Sequence, residues 1–240
     1  YKEYGIGKEG FDICSIQFAI HYMFENQDTL QNFLRNVSEV TKVGGYFIGT
    51  SYDGKIMFNM LKNKVDGESV SIVENSVKLW EVTKRYNRDE FSDNVSCVGY
   101  GIDVYQESIN KTFREYLVNY DYLTQLLENY GFVLLKRDEL KEKNISESSG
   151  LFSDLFNRMS QDIKRNTRLE RDFGDAINMS PGERQISFLN RYFIYKKVRN
   201  VDTENVFLNL TNKTLASEKL EEDETKHAQE VAVEEVAAIK

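Results

Sequence analysis

Gln17, Phe18, His21 and Tyr22 fall within six residues of one another, directly after the short apolar run of Phe11, Ile13, Cys14 and Ile16, which Asp12 interrupts. An amide, an imidazole and two aromatic rings are groups of recognition: the first two offer hydrogen bonds, the rings offer flat walls. If the chain turns helical after the run, Phe18, His21 and Tyr22 share one face. A strand that ends in such a cluster is how an open α/β sheet builds a ligand crevice at its carboxyl edge. Taken singly, each residue has a plainer reading. A lone His beside a strand is more often structural, Phe18 alone is core, and Tyr22 alone is a half-buried aromatic. Together they read as a ligand site. His21 is one of two histidines, the other being His227.

The elements that must position this cluster follow from periodicity. Residues 11–17 form the first strand. Asp28 or Thr29 caps a helix running to about Lys42, with Leu30, Phe33, Leu34, Val37 and Val40 as its apolar stripe. Gly44–Gly45 is expected to end it, and 46–51 to be the next strand. Strand, helix and strand make one parallel unit with a right-handed crossover. A helix over about 54–64 follows. Residues 66–105 alternate with period two in places and predict a β-rich insert over the crevice. Residues 113–118 lead into an amphipathic helix lined by Tyr122, Leu123, Leu126, Leu127 and Tyr130, with Gly131 as its stop and 132–136 as a strand. Residues 138–185 are polar with helical patches, notably 151–159, and 191–198 is the last strand. Residues 217–240 are rich in Glu, Ala and Lys, which fits a solvated helix or disorder. The domain reading is 1–200 for the folded part and 201–240 for an acidic tail.

Composition narrows the classes. The 240 residues, 40% hydrophobic and 12% aromatic, can fill one core. A net charge of -8 excludes a broad electrostatic grip on nucleic acid, although local reading of one terminal base needs no such charge. No apolar run has the length of a membrane span, and no secretory signal opens the chain, so an intracellular protein is expected. Two cysteines, Cys14 and Cys97, fit a reducing compartment and allow no cysteine-rich metal site. The first residue is Tyr1 rather than Met, which reads as a cut or processed piece.

Phe11 to Glu25, in the pattern FDI-C-S-x-Q-F-x-x-H-Y-x-F-E, resembles the mid-domain motif of the mRNA cap guanine-N7 methyltransferases. The resemblance is renewed at Gly44–Thr50 (GGYFIGT) and Glu115–Val118 (EYLV), and covers roughly residues 1 to 200. In detail it is most similar to the capping enzymes of large DNA viruses, where this domain closes a longer polypeptide. What it implies is an α/β fold, a Rossmann-like class I methyltransferase sheet of strand order 3-2-1-4-5-7-6. The strands visible here would be 4, 5, 6 and 7, the C-terminal half. The glycine-rich cofactor loop of such folds has no counterpart: Gly5, Gly7 and Gly10 have the bare G-x-G-x-x-G spacing, but a strand follows them and no strand precedes them, so they read as a flexible lead-in.

The resemblance also implies roles. Gln17 and Tyr22 would contact S-adenosylmethionine, Gln17 near the adenine. His21 would hydrogen-bond the guanine edge of 5′-capped RNA, Phe18 would press on its ring, and Glu115 would accept from N1–H and the exocyclic amine. The bland reading of Glu115 is a surface acid on a strand. The family's Tyr before the last strand falls on Asn190, which hydrogen-bonds but cannot stack; Tyr192, on the same side, is the alternative. No catalytic side chain and no metal are expected, because guanine N7 is already a nucleophile and the sulfonium methyl already activated. The expected activity is guanine-N7 methylation of capped RNA. It would be performed with the missing N-terminal half or within a larger capping enzyme, in host cytoplasm or virion if viral and in the nucleus if cellular. The competing readings are a non-catalytic, stimulatory methyltransferase-like subunit and a small-molecule methyltransferase.

Overall fold

Leu30, Leu34 and Val37 recur at helical spacing and are buried, and that stripe turns α1 (Gln27–Val40) onto the sheet between β1 (Phe11–Gln17) and β2 (Thr41–Tyr52). The computed structural model describes residues 6–212. The α1 cap is Asn26, whose side chain accepts from the Thr29 N–H; Asp28 and Thr29 lie inside the first turn. Nor does Gly44–Gly45 end the helix. It stops at Val40, and Thr41 opens β2 while its hydroxyl donates to the Val37 carbonyl at 2.6 Å. The two glycines serve a bulge instead: Phe11 pairs with Thr41 but Ile13 already pairs with Tyr46. Gly44 takes φ +88°, and a Cβ on Gly45 would meet the Asp12 carbonyl at 2.9 Å.

After α2 (Gly54–Met60), capped by Asp53, come four strands: β3 (Ser69–Glu74), β4 (Val77–Arg85), β5 (Gly101–Gln106) and β6 (Lys111–Tyr116). They form their own antiparallel sheet in chain order. It is the expected insert, extended by β6 to include Glu115. Trp80, Val82, Ile102 and Val104 on one face pack with Met57 and Leu61 of the α2 segment into a core of their own.

The chain then returns through α3 (Tyr120–Asn129), capped by Asn119 and stopped at Gly131 with φ +90°, to β7 (Phe132–Leu134). The polar stretch folds as α4 (Arg137–Glu142), β8 (Ser149–Leu151), α5 (Phe152–Arg165), α6 (Glu170–Phe173) and α7 (Pro181–Ser187), and β9 (Asn190–Lys197) ends it. The first sheet has the order β1-β2-β9-β7, with β8 also on β9. β1 and β2 are parallel, and β9 runs against its neighbours. The order matches the 4-5-7-6 half expected from the resemblance, and the fold is α/β. Phe47, Phe193, Tyr195 and Phe132 carry the sheet's buried face against α1 and α3.

The chain divides into two compact units, Tyr1–Val201 and Asp202–Lys240. In the second, residues 203–212 are helical, and Asp202 accepts from the Asn205 N–H at 3.0 Å. Gly5, His227 and the stretch 217–240 lie outside the described residues. Among the described residues, no helix is long and apolar enough to cross a membrane.

Candidate functional site

β1 ends at Gln17, and the ladder with β2 reaches one residue further, the Phe18 N–H donating to the Thr50 carbonyl at 2.8 Å. Phe18 itself turns to φ +51°, a left-handed backbone that costs a non-glycine residue roughly 1–3 kcal/mol. A 3-10 helix, Ile20–Glu25, follows. The expected shared face therefore does not form. Phe18 stands outside the helix and is 54% exposed, His21 is buried, and Tyr22 is 42% exposed. A left-handed turn followed by three residues per turn cannot keep the alignment that an α-helix would give. The rings of His21 and Tyr22 still meet, 4.2 Å apart and edge-on.

Opposite His21 stands Glu115. Its carboxylate Oε2 lies 3.8 Å from His21 Nδ1, and both side chains are more than nine-tenths buried. The bland reading of Glu115 as a surface acid is thus overturned. Two bonds hold the insert sheet to the 3-10 helix: Tyr116 of β6 donates to the Glu25 carboxylate at 3.0 Å, and the Gly99 N–H, in the turn ahead of β5, donates to the Phe24 carbonyl at 3.0 Å. Among the described residues, both ring nitrogens of His21 and Oε2 of Glu115 are buried without a hydrogen-bond partner. Burial pushes the Glu115 carboxyl up to about 7 and the His21 imidazole down to about 4. At 3.8 Å the two make no hydrogen bond, and burial favours the neutral form of each, so this is not an ion pair. Unsatisfied buried groups of this kind are costly, and a buried pair with shifted pKa values is a candidate binding site.

Gln17 is held in a chain of side chains: its Nε2 donates to Ser15 Oγ at 2.9 Å, and its Oε1 accepts from Thr50 Oγ1 at 2.8 Å. One N–H and one lone pair remain. The Tyr22 hydroxyl has no partner among the described residues, and burial followed by the Glu115 charge raises its pKa. Asn190, buried in β9, spends its Nδ2 on the carbonyls of Ile186 and Ser187, leaving Oδ1 as a lone buried acceptor. Tyr192 packs against Gly150, and its hydroxyl donates to the Glu147 carbonyl at 3.2 Å. It lines an apolar cavity of about 690 Å³ together with Phe152, Phe156, Met159 and Ile194. Phe152 of that cavity also lies edge-on to Phe18 at 6.2 Å.

Sequence reasoning missed Tyr52, the last residue of β2. Burial and then the Glu115 charge push its hydroxyl up to about 12. Its hydroxyl oxygen accepts from Trp80 Nε1 at 2.9 Å and Gln106 Nε2 at 3.2 Å. The available signal was position: β2 is the parallel neighbour of β1, and its end faces the same crevice.

The sequence model of the mRNA (guanine-N(7))-methyltransferase domain matches residues 3–198. A probable mRNA-capping enzyme of Acanthamoeba polyphaga mimivirus is 26% identical over 218 residues, covering 84% of this chain and 18% of that protein. An mRNA cap guanine-N(7) methyltransferase of Candida glabrata is 27% identical over 194 residues, 78% of this chain and 44% of that protein. Among solved structures, the CcbJ methyltransferase from Streptomyces caelestis is similar with a TM-score of 0.41 and 10% identity, over 80% of this chain and 59% of that one. The chain thus spans less than half the length of these two curated relatives.

Proposed function

Since the chain belongs to the mRNA (guanine-N(7))-methyltransferase family, we propose that it acts in methyl transfer from S-adenosylmethionine to N7 of the terminal guanine of GpppN-capped RNA. The observation that carries this reading is the buried, unpartnered pair of His21 and Glu115 beside the end of β1. A base edge with two adjacent N–H donors satisfies such a carboxylate, and guanine offers them at N1 and the exocyclic amine.

Bound S-adenosylmethionine supplies an electrophilic sulfonium methyl. The side chains need only hold the two reactants in line. Glu115, ionised, accepts from the guanine edge, and its charge favours the positive ring that methylation produces. His21, neutral, hydrogen-bonds the same edge. Phe18, half exposed at the end of β1, presses on the ring. Gln17, with one free N–H and one lone pair, and Tyr22, with its free hydroxyl, fit the purine side of the cofactor. No residue is assigned to the methionine end, because Gly7 lies within a 3-10 turn, Ile6–Glu9, and Gly10 follows that turn directly before β1, rather than in a strand-to-helix loop. Asn190 contributes at most an acceptor. The partners in this reading are 5′-capped RNA and the remainder of a larger capping polypeptide. A purely stimulatory module would have no use for the cost of an unpaired buried carboxylate.

The test is steady-state methyl transfer to GpppN-capped RNA by the full-length protein. Glu115→Gln sets a donor against a guanine donor, and kcat/KM is expected to fall by roughly ten- to several-hundred-fold with cofactor affinity unchanged. Full activity in this variant would return Glu115 to a structural role.

A further inference from the structure

A phenolic oxygen has two lone pairs and one hydrogen to give. In Tyr52 both lone pairs are taken. Trp80 Nε1 is a donor only and is fully buried, so the direction of its 2.9 Å bond is fixed by chemistry, and the Gln106 amide fills the second place at 3.2 Å. Among the described residues no acceptor receives the Tyr52 hydrogen. The hydroxyl is therefore a donor in waiting, held in one orientation by two bonds and by the edge-on ring of Trp80 at 6.0 Å.

That donor belongs to the same crevice as Glu115. Trp80 pairs with Gln106, and Glu115 pairs with Ile102, four residues earlier in β5, so Trp80, Gln106 and Glu115 lie on one face of the insert sheet. Tyr52 meets that face from the end of β2, two residues beyond Thr50, the partner of Gln17. The nearness of the two groups is also felt electrostatically, since, after burial, the Glu115 charge helps keep the hydroxyl protonated.

The crevice thus presents an acceptor at Glu115 and a committed donor at Tyr52. The complementary ligand edge carries donors beside an acceptor, and the guanine edge reads amine, N1–H, O6. We infer that Tyr52 donates its hydroxyl hydrogen to guanine O6 and is a specificity-determining residue of this site. The inference rests on the guanine reading above and deepens it: Glu115 reads the two donors and Tyr52 the acceptor. A purine with an amine at position 6 would set N–H against O–H and be rejected.

The test compares equilibrium binding of GpppA with that of its 6-thioguanosine analogue, which keeps both N–H donors and replaces O6 by a weakly accepting sulfur. Full-length protein is used, unaltered and as Tyr52→Phe, with an inosine cap as the control for the amine contact. The unaltered protein should prefer oxygen over sulfur by roughly ten-fold. In Tyr52→Phe that preference should collapse toward one, while the guanine-over-inosine preference, read by Glu115, persists. A merely structural role for Tyr52 would weaken all three ligands together and leave both ratios intact. If the oxygen-over-sulfur ratio survives in Tyr52→Phe, the donor is another group, His21 foremost, and the assignment falls. The comparison in unaltered protein needs no variant to fold: equal affinity for oxygen and sulfur there overturns the inference by itself. Binding of no cap at all would remove the guanine reading and this inference with it.

Discussion

Glu115→Gln should make the protein more stable at pH 8 even as it lowers the proposed activity. The carboxyl titrates near 7 in the folded state against an ordinary 4.5, through burial. Folded protein therefore holds this proton more tightly than unfolded chain. Stability from this group is full below about pH 4.5, falls as pH rises through about 7, and stays lost above. The interval corresponds to about 3 kcal/mol. His21 works with the opposite sign. Its imidazole titrates near 4 against an ordinary 6.5, so its contribution is present above pH 6.5 and is lost as pH falls toward 4. Between about pH 4.5 and 6.5 the two slopes oppose, and the unaltered site should show little net dependence. Glu115→Gln leaves only the His21 slope, so its stability should climb from pH 4 to 6.5 and then level off. Because the buried Gln amide carries its own desolvation cost, the gain over unaltered protein at pH 8 is expected at about 1–3 kcal/mol, vanishing near pH 4.5. Urea unfolding at pH 4.5, 6 and 8, followed by the fluorescence of Trp80, the one tryptophan in the chain, measures it. A variant that is less stable at pH 8, or a difference that does not change with pH, would refute the buried-carboxylate argument.

Guanine binding should need ionised Glu115, so cap affinity is expected to weaken as pH falls through about 7, by up to ten-fold per unit, and titration of Glu115→Gln should show no such dependence. Tyr22→Ala should weaken cofactor binding and cap binding together, whereas His21→Ala should weaken only the cap; parallel calorimetry with S-adenosylmethionine and GpppA separates them, and equal profiles for the two variants would undo the division of roles.

The frame of this fold was legible wherever burial imposes a period. The stripe of Leu30, Leu34 and Val37, the face of Leu123, Leu126 and Leu127, and the Gly131 stop all fall where the pattern put them, because packing and a left-handed backbone leave few alternatives. Boundaries set by competing local bonds were not legible. Asn26 outcompetes Asp28 and Thr29 as a cap because its side chain is the one placed before the first turn, and Gly44–Gly45 serves a bulge that only its pairing with β1 reveals. In the candidate site, the types at 17, 18, 21 and 22 were legible, but their geometry depends on the left-handed turn at Phe18, which no period encodes. The burial of Glu115 follows from β6 docking on a helix far away in sequence, and Tyr52 gains its meaning only from Trp80 and Gln106 across the sheet boundary.

The hydrogen-bonded row of Ser15, Gln17 and Thr50 has a thermodynamic side. A glutamine on a surface ordinarily samples many rotamers, and fixing it on a ligand forfeits roughly 1.5–2 kcal/mol of conformational entropy. Here both ends of the amide are already tied, to a serine two residues back and a threonine on the neighbouring strand. The ordering cost was met when the sheet formed. Whatever meets the remaining N–H and lone pair of Gln17 meets a side chain already tied at both ends, so less conformational entropy is forfeited on contact.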